Sequence, residues 1–546
     1  MAPISALLAS SEHSQRAILD AIEQQFQLTD DALVTITKQF LEDFRLGLGE
    51  YNHPMAMIPT YVTGVPNGSE TGTFLALDLG GTNLRVCEVQ LKGNHDFTLR
   101  QQKYRVSEAL KTGEATALFD YLADSVDAFL TETASSPTSA PADPFASSSS
   151  SLDYLEGNSA AIPLGLTFSF PVEQTALNEG KILTWTKGFS AKNAVGHDVV
   201  KLLQDAFDRK HLHVRCVALV NDTVGALLSR AYSAGDCLLG AIFGTGTNGA
   251  YLEKVENITK LGNSAARQRG GHMVVNCEWG AFNNSRTTLP TTPFDNKLDR
   301  ESINPRLQAF EKFISGMYLG EITRNILLAL VDAAPRPLLF NGKASRELNQ
   351  HYGLDTAVMS EIEEAWENGR VPTSGKAEGV DGASAIDTVG VATESKTNDS
   401  LSHFTAVEEL SAEDQARLER IRSIIIQRLS MDAADVSLRD AAVVRWAASL
   451  VARRAAKLSG SAVAAIMVQT GHAKLGGGYV PKEDRFVIGV DGSLIEHYPN
   501  FNARLRESVR TLIGEEVEKK IELGMAKDGS GVGAALGALE ATKHGL

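Results

Sequence analysis

The chain reads as an α/β protein built from two related halves, and three features predict it. Short apolar strand patterns alternate with amphipathic helical patterns through most of its 546 residues. Two glycine-rich turns share one design: Leu75-Ala-Leu-Asp78-Leu-Gly80-Gly81-Thr82-Asn83-Leu-Arg85-Val-Cys-Glu-Val89 and Leu239-Gly-Ala-Ile-Phe-Gly244-Thr245-Gly246-Thr247-Asn248-Gly-Ala-Tyr-Leu252. Each is an apolar run, a Gly/Thr/Asn turn and a second apolar run, which predicts a β-hairpin, and its repetition hints at duplicated halves. Between them, Asn221-Asp222-Thr223 stands where a buried strand gives way to a helix.

In chain order, residues 14–48 have helical spacing, with Thr29 or Asp30 as the cap of a helix through Phe40 and Phe44. Short strands follow over about 72–106, and Leu118, Leu122, Val126 and Phe129 mark a helix over 115–133. Ile162–Phe170 reads as a strand, Val199–Phe207 as a helix, Cys216–Val220 as a buried strand and Val224–Tyr232 as a helix. Phe310–Val331 reads as one long helix, and Ala412–Leu429 and Arg439–Leu458 as two more. Phe486–Val490 is a strand pattern and Arg504–Ile513 a helical one. Two tracts interrupt the series, at about 134–151 (Ser/Pro-rich) and about 367–401 (Gly-, Ser-, Thr- and acid-rich). Neither holds enough large apolar residues for a core, so both are expected to be disordered loop insertions.

Composition narrows the function classes. Hydrophobic residues at 43% and charged residues at 22% are ordinary for a globular protein. The net charge of -15 disfavours nucleic acid and anionic membranes as partners. No apolar run is long enough for a membrane span, and Met1–Ser10 lacks the basic start of a secretory signal, so a cytoplasmic protein is expected. Cys87, Cys216, Cys237 and Cys277 form no CxxC pair and read as buried free thiols.

The hairpin tips carry the first chemical signal. Glycine lets an anion approach the main chain, and successive free N–H groups bind phosphate oxygens. Two such tips could clamp a polyphosphate from both sides, with Asn221-Asp222-Thr223 placed at its end. These three residue types are also good helix N-caps, and capping does not exclude catalysis. No GxxxxGK[ST] sequence is present, so the phosphate site is not of the Walker type.

Further motifs give the series a family likeness. They are Leu164-Gly-Leu-Thr-Phe-Ser-Phe-Pro171, Trp185-Thr-Lys-Gly-Phe189, Val220-Asn-Asp-Thr-Val224, Asn276-Cys-Glu-Trp-Gly-Ala-Phe282, Phe310-Glu-Lys-Phe-Ile-Ser-Gly-Met-Tyr-Leu-Gly-Glu321, Ile488-Gly-Val-Asp-Gly-Ser493 and Asp528-Gly-Ser-Gly-Val-Gly533. From about residue 55 onward the chain resembles the hexokinase family, in particular its glucokinase-like fungal branch. The resemblance implies two actin-like (ribonuclease H-like) α/β domains, small and large, around a deep cleft. It implies a small domain over 61–220 and a large one over 221–546, with residues 1–60 as a helical segment on the large domain and about 530–546 returning to the small one.

The same resemblance implies ATP-dependent phosphorylation of glucose or a related hexose, with Mg²⁺ held by Asp78 through water. Gly80, Gly81, Thr82, Asn83, Arg85, Thr245 and Gly246 would face the phosphates of ATP. Asp491, Gly492, Ser493 and Ser530 would approach the adenosine. Ser169, Thr186, Lys187, Asn221, Asp222, Asn248, Glu278, Gln308 and Glu311 would hold the sugar, with Asp222 as general base and Lys187 offsetting charge on the transferring phosphoryl. Gln308 is expected to share a helix face with Glu311. A broad hexokinase and a sugar-sensing regulator with weak turnover are the alternatives within this likeness. An actin- or chaperone-like ATPase would lack the sugar series. The chain departs from the family pattern at Leu84, at Pro290–Asp295, at Arg306 where glycine is common, and in the glycine-rich stretch Gly471–Asp484.

Overall fold

In the computed structural model, the structure describes residues 13–80, 83–135, 161–185, 188–367 and 410–546. Nearly all of the two low-complexity tracts lies outside these residues, Ala134 and Ser135 closing a helix that begins at Ala115.

Thirteen strands are assigned among the described residues. They are β1 (Ile58–Pro59), β2 (Thr71–Leu79), β3 (Asn83–Lys92), β4 (Phe97–Arg105), β5 (Ile162–Phe168), β6 (Val172–Ala176), β7 (Glu179–Ile182), β8 (Val214–Val220), β9 (Leu239–Phe243), β10 (Thr247–Lys254), β11 (His272–Asn276), β12 (Phe486–Asp491) and β13 (Ile521–Met525). Two sheets repeat one plan. The five-stranded sheet has the order β4-β3-β2-β5-β8, and the six-stranded sheet β1-β11-β10-β9-β12-β13. In each, an antiparallel meander leads into two parallel strands: β2 pairs antiparallel with β3 and parallel with β5, just as β9 pairs antiparallel with β10 and parallel with β12. The two glycine-rich hairpins are β2–β3 and β9–β10, at equivalent places in the two sheets.

Two helices lie between the sheets. The helix Asp222–Ala234 packs on β9 and β12, and the helix Gly529–Lys543 packs on β2, β5 and β8. The helices also pack on each other at backbone distance. A Cβ on Gly225 would stand 2.5 Å from the carbonyl oxygen of Gly529, and one on Gly533 would stand 2.1 Å from Cα of Gly225. Only glycine permits that approach. The chain's last helix therefore belongs to the layer beneath the five-stranded sheet, remote in sequence from most of it.

The N-terminal helices His13–Phe26 and Asp30–Gly49 pack on the other sheet's core. Thr29 caps the second, its hydroxyl accepting from the Ala32 amide. Phe40 stacks on Phe282, and the Arg454 guanidinium lies between the rings of Phe26 and Phe313 while forming a bidentate pair with Asp295.

Two helix expectations change. The predicted helix 310–331 is two helices, Ala309–Ile314 and Gly316–Val331, because Ser315 is extended and the Gly316 amide donates to the carbonyl of Gly244 instead of within the helix. The predicted helix 439–458 runs from Leu438 to Gln469. Ser459-Gly460-Ser461 looks like a stop, but Gly460 admits the backbone of Leu505 at close range, and packing overrides propensity. All four cysteines are free and buried. Burial pushes the thiols of Cys87, Cys216 and Cys237 up to about 12.

Candidate active site

The first hairpin closes with Gly80 donating its amide to the carbonyl of Asn83 at 3.1 Å. Gly81 and Thr82, between them, lie outside the described residues. Asp78 is buried at the end of β2. Its Oδ2 accepts from Arg85 Nε at 2.9 Å, from Arg85 Nη2 at 2.5 Å and from the Ser530 hydroxyl at 2.9 Å. Ser530 lies in the first turn of the last helix, and its carbonyl accepts from the Thr167 hydroxyl at the end of β5. The hairpin, β5 and the N-terminal turn of the last helix are thereby tied at one point. Ser169, just past β5, is buried beside them in sequence.

The second hairpin is held from behind. Gly316 and Met317 donate their amides to the carbonyls of Gly244 and Thr245, which fixes the tip against the start of a helix. A Cβ on Gly244 would come within 3.0 Å of Cα of Gly492, so this turn touches the Asp491-Gly492-Ser493 turn. Asp491 accepts from the Gly492 amide at 2.7 Å. Burial first, and the charge of Asp222 among the weaker causes, raise its carboxyl above the ordinary aspartate range. Asp222 and Asp491 are thus within electrostatic reach of each other.

The segment Thr245–Asn248 joins this turn to a cluster of polar side chains. The Thr247 amide donates to Glu311 Oε2 at 3.2 Å, and a Cβ on Gly246 would stand 2.9 Å from the same oxygen. Asn248 Nδ2 reaches Asn276 at 2.8 Å and Glu278 Oε1 at 3.3 Å, and Asn276 Nδ2 donates to the same Glu278 oxygen at 2.8 Å. Gln308 and Glu311 both crowd Gly280, on the turn that follows Glu278. Gln308 does not share a helix face with Glu311 as expected. It caps the helix Ala309–Ile314 in the left-handed conformation, at φ 54°, and reaches the same place from the loop.

Asn221 and Asp222 open the helix Asp222–Ala234. The Asn221 side-chain oxygen accepts from the Thr223 amide at 2.9 Å and from its hydroxyl at 2.7 Å, so the capping function is real. Asp222 Oδ1 also accepts from the Thr223 amide at 2.9 Å. Thr186 and Lys187 lie outside the described residues, next to Trp185, whose ring packs on Phe170 and Phe189.

Two residues absent from the predicted series belong to this region. Asn276 orients both Asn248 and Glu278, and its place at the head of Asn276-Cys-Glu278 was the available signal. Asp528 sits 4.0 Å from Arg85, and its short spacing to Ser530 marked it.

Similarity to known proteins agrees with this geometry. Hexokinase family models match residues 18–232, 238–428 and 383–540. A glucokinase of Aspergillus niger is 37% identical over 97% of this chain and 98% of its own length. Hexokinase-1 of Schizosaccharomyces pombe is 33% identical, covering 97% and 92%. Among solved structures, the hexokinase of Schistosoma mansoni complexed with glucose superposes with a TM-score of 0.73 at 31% identity, covering 97% of this chain and 98% of that one. The two sheets are therefore the cores of two actin-like α/β domains. On this evidence the chain belongs to the hexokinase family, enzymes that phosphorylate sugars with ATP.

Proposed function

We propose that this protein transfers the γ-phosphoryl group of ATP to the 6-hydroxyl of a hexose, glucose foremost, as the first step of glycolysis in the cytoplasm. One observation carries the reading. The four residues Thr245–Asn248 bring a phosphate-binding turn within hydrogen-bond reach of both pocket carboxylates, Glu311 and Glu278. A ligand with hydroxyls on one side and a polyphosphate on the other suits that arrangement.

In this reading Asp222 is the general base. A carboxylate suffices, because the sugar hydroxyl turns acidic only as its bond to phosphorus forms. Asn221 orients the reacting hydroxyl or its neighbour, and Ser169, Thr186, Asn248, Glu278, Gln308 and Glu311 pair with the remaining ones. A sugar lacking a matched hydroxyl would leave buried groups unpaired. Gly80–Asn83, Arg85, Thr245 and Gly246 cradle the phosphates, while Lys187 offsets charge at the transferring group. Asp491, Gly492, Ser493 and Ser530 face the adenosine side.

The residues present fit a magnesium ion. Arg85 and Ser530 donate to one oxygen of Asp78, which suits a carboxylate that meets the ion through water. When bound, Mg²⁺ neutralises phosphate charge. The domains divide at 61–220 and 221–546, with 1–60 carried by the second and about 530–546 returned to the first. Sugar contacts from both domains drive closure, which keeps water from the γ-phosphoryl.

Measuring ADP release with glucose, mannose, fructose and no sugar tests the reading. Sugar-dependent release, fastest with glucose, is expected. Equal release without sugar would leave a plain ATPase, glucose binding without release would leave a sensor, and equal rates with all three sugars would leave a broad hexokinase.

A further inference from the structure

Glu311 and Gln308 sit at the two ends of a single helical turn, and the loop before them, Ser302–Leu307, is an unpromising support. Ile303 and Leu307 are exposed, Arg306 has φ 65° and Gln308 φ 54°. An arginine at that φ is strained, and glycine would be at ease there. Something else must hold this loop in one conformation.

Asp299 does so from beneath. It lies near the end of the helix Pro293–Glu301 and is 7% exposed. Its two carboxylate oxygens each accept from the Arg306 amide at 3.1 Å, so the strained residue is gripped by its backbone. Its Oδ1 also receives Lys312 Nζ at 2.7 Å and Arg286 Nη2 at 2.7 Å. Lys312 is 2% exposed, and its ammonium also donates to the carbonyl of Asn304 at 2.7 Å. The Ser302 hydroxyl donates to the Asp299 carbonyl at 2.8 Å, closing the start of the loop. Lys312 is the residue after Glu311, and its own amide bonds back to the carbonyl of Gln308. A displacement of Lys312 therefore moves both neighbours together. A buried carboxylate with two cations and a backbone amide has no slack geometry in which to reorganise.

We propose that Asp299, through Lys312 and the Arg306 amide, is a positioning residue that sets the aim of Gln308 and Glu311 at the sugar. The inference rests on the reading of those two as sugar ligands. Asp299 itself is buried under the loop and acts only through the residues it holds. Because it fixes groups that bind the sugar rather than the reacting atoms, its loss weakens sugar binding more than turnover.

The test is steady-state kinetics of Asp299→Asn and Lys312→Met, each with its melting temperature, and glucose binding followed by tryptophan fluorescence. Each variant is expected to raise KM and the binding constant for glucose about tenfold or more, with kcat changed less than about threefold and KM for ATP unmoved. The double variant is expected to be no worse than the poorer single one, because the two residues act as one unit. Lys312→Arg, which keeps the cation, is expected to recover most of the glucose affinity lost in Lys312→Met. An unchanged glucose KM in a folded variant overturns the proposal, and so does a fall in kcat in parallel with a rise in both KM values and a lowered melting temperature. If one variant fails to fold, the other decides. A wild type that neither binds nor phosphorylates any hexose removes the kinase reading, and this proposal with it. A wild type that does both, beside a variant with unaltered glucose KM, removes this proposal alone.

Discussion

Asp491 shows how a single site residue can oppose the fold that carries it. Its folded-state pKa is raised, chiefly by burial, so folding is harder with the carboxylate charged. The sign follows from proton linkage: between the unfolded and folded values the native state binds the extra proton, so stability falls as pH rises through that window and stays lower above it. Asp491→Asn keeps an acceptor for the Gly492 amide and removes the charge. It is expected to raise the melting temperature of the ligand-free protein at neutral pH and to give a smaller gain near pH 3, where the wild-type carboxyl is already protonated. A gain that stays constant across that range would contradict this. At this scale the sequence was informative about residue types and less so about partners. Asp78, Asn221 and Glu278 stand out from their motifs. The clasp of Arg85 and Ser530 on Asp78 joins positions 445 residues apart, a distance no local pattern encodes. The fixing of Gln308 by backbone conformation is likewise invisible to helical spacing.

Among the elements, the pair of helices between the sheets is the joint on which the two halves meet. Asp222 opens one of them, and Ser530 lies in the first turn of the other, which Gly529 opens. Their axes approach so closely at Gly225, Gly529 and Gly533 that a methyl group has no room against main-chain atoms. Gly533→Ala is expected to destabilise the protein by about 1–3 kcal/mol, the usual cost of overpacking a rigid contact, read from denaturant or thermal unfolding. A variant as stable as wild type would mean that the helices separate without penalty. Most elements were legible: both hairpins and the strand into Asn221 occur as read, and of the two cap candidates, Thr29 and Asp30, Thr29 is the cap. The failures share a cause. Ser315 breaks a helix because the Gly316 amide finds a better acceptor in Gly244, and Gly460 fails to break one because its missing side chain is needed for packing. Both outcomes depend on contacts distant in sequence.

Across the whole molecule, the duplicated sheet plan places one glycine-rich hairpin on each half, which is why two similar turns occur in the chain. The repeat was legible in the sequence, and the return of the last segment toward the first half was expected from the family resemblance, whereas the strand orders, and the three strands β2, β5 and β8 on which that helix packs, required the structure. If the halves close on sugar, glucose is expected to shift tryptophan fluorescence, through Trp185 next to the proposed sugar ligands Thr186 and Lys187, and to reduce the scattering radius. No change in either would argue against closure. The central claim is that Asp222 takes the proton while the two turns hold the nucleotide across the cleft, and it is tested most directly by Asp222→Ala, assayed for glucose-dependent ADP release together with glucose-induced fluorescence. A fall in kcat of about 10²–10⁴ with the fluorescence response retained is predicted. A loss of only a few-fold, with sugar binding intact, would contradict it.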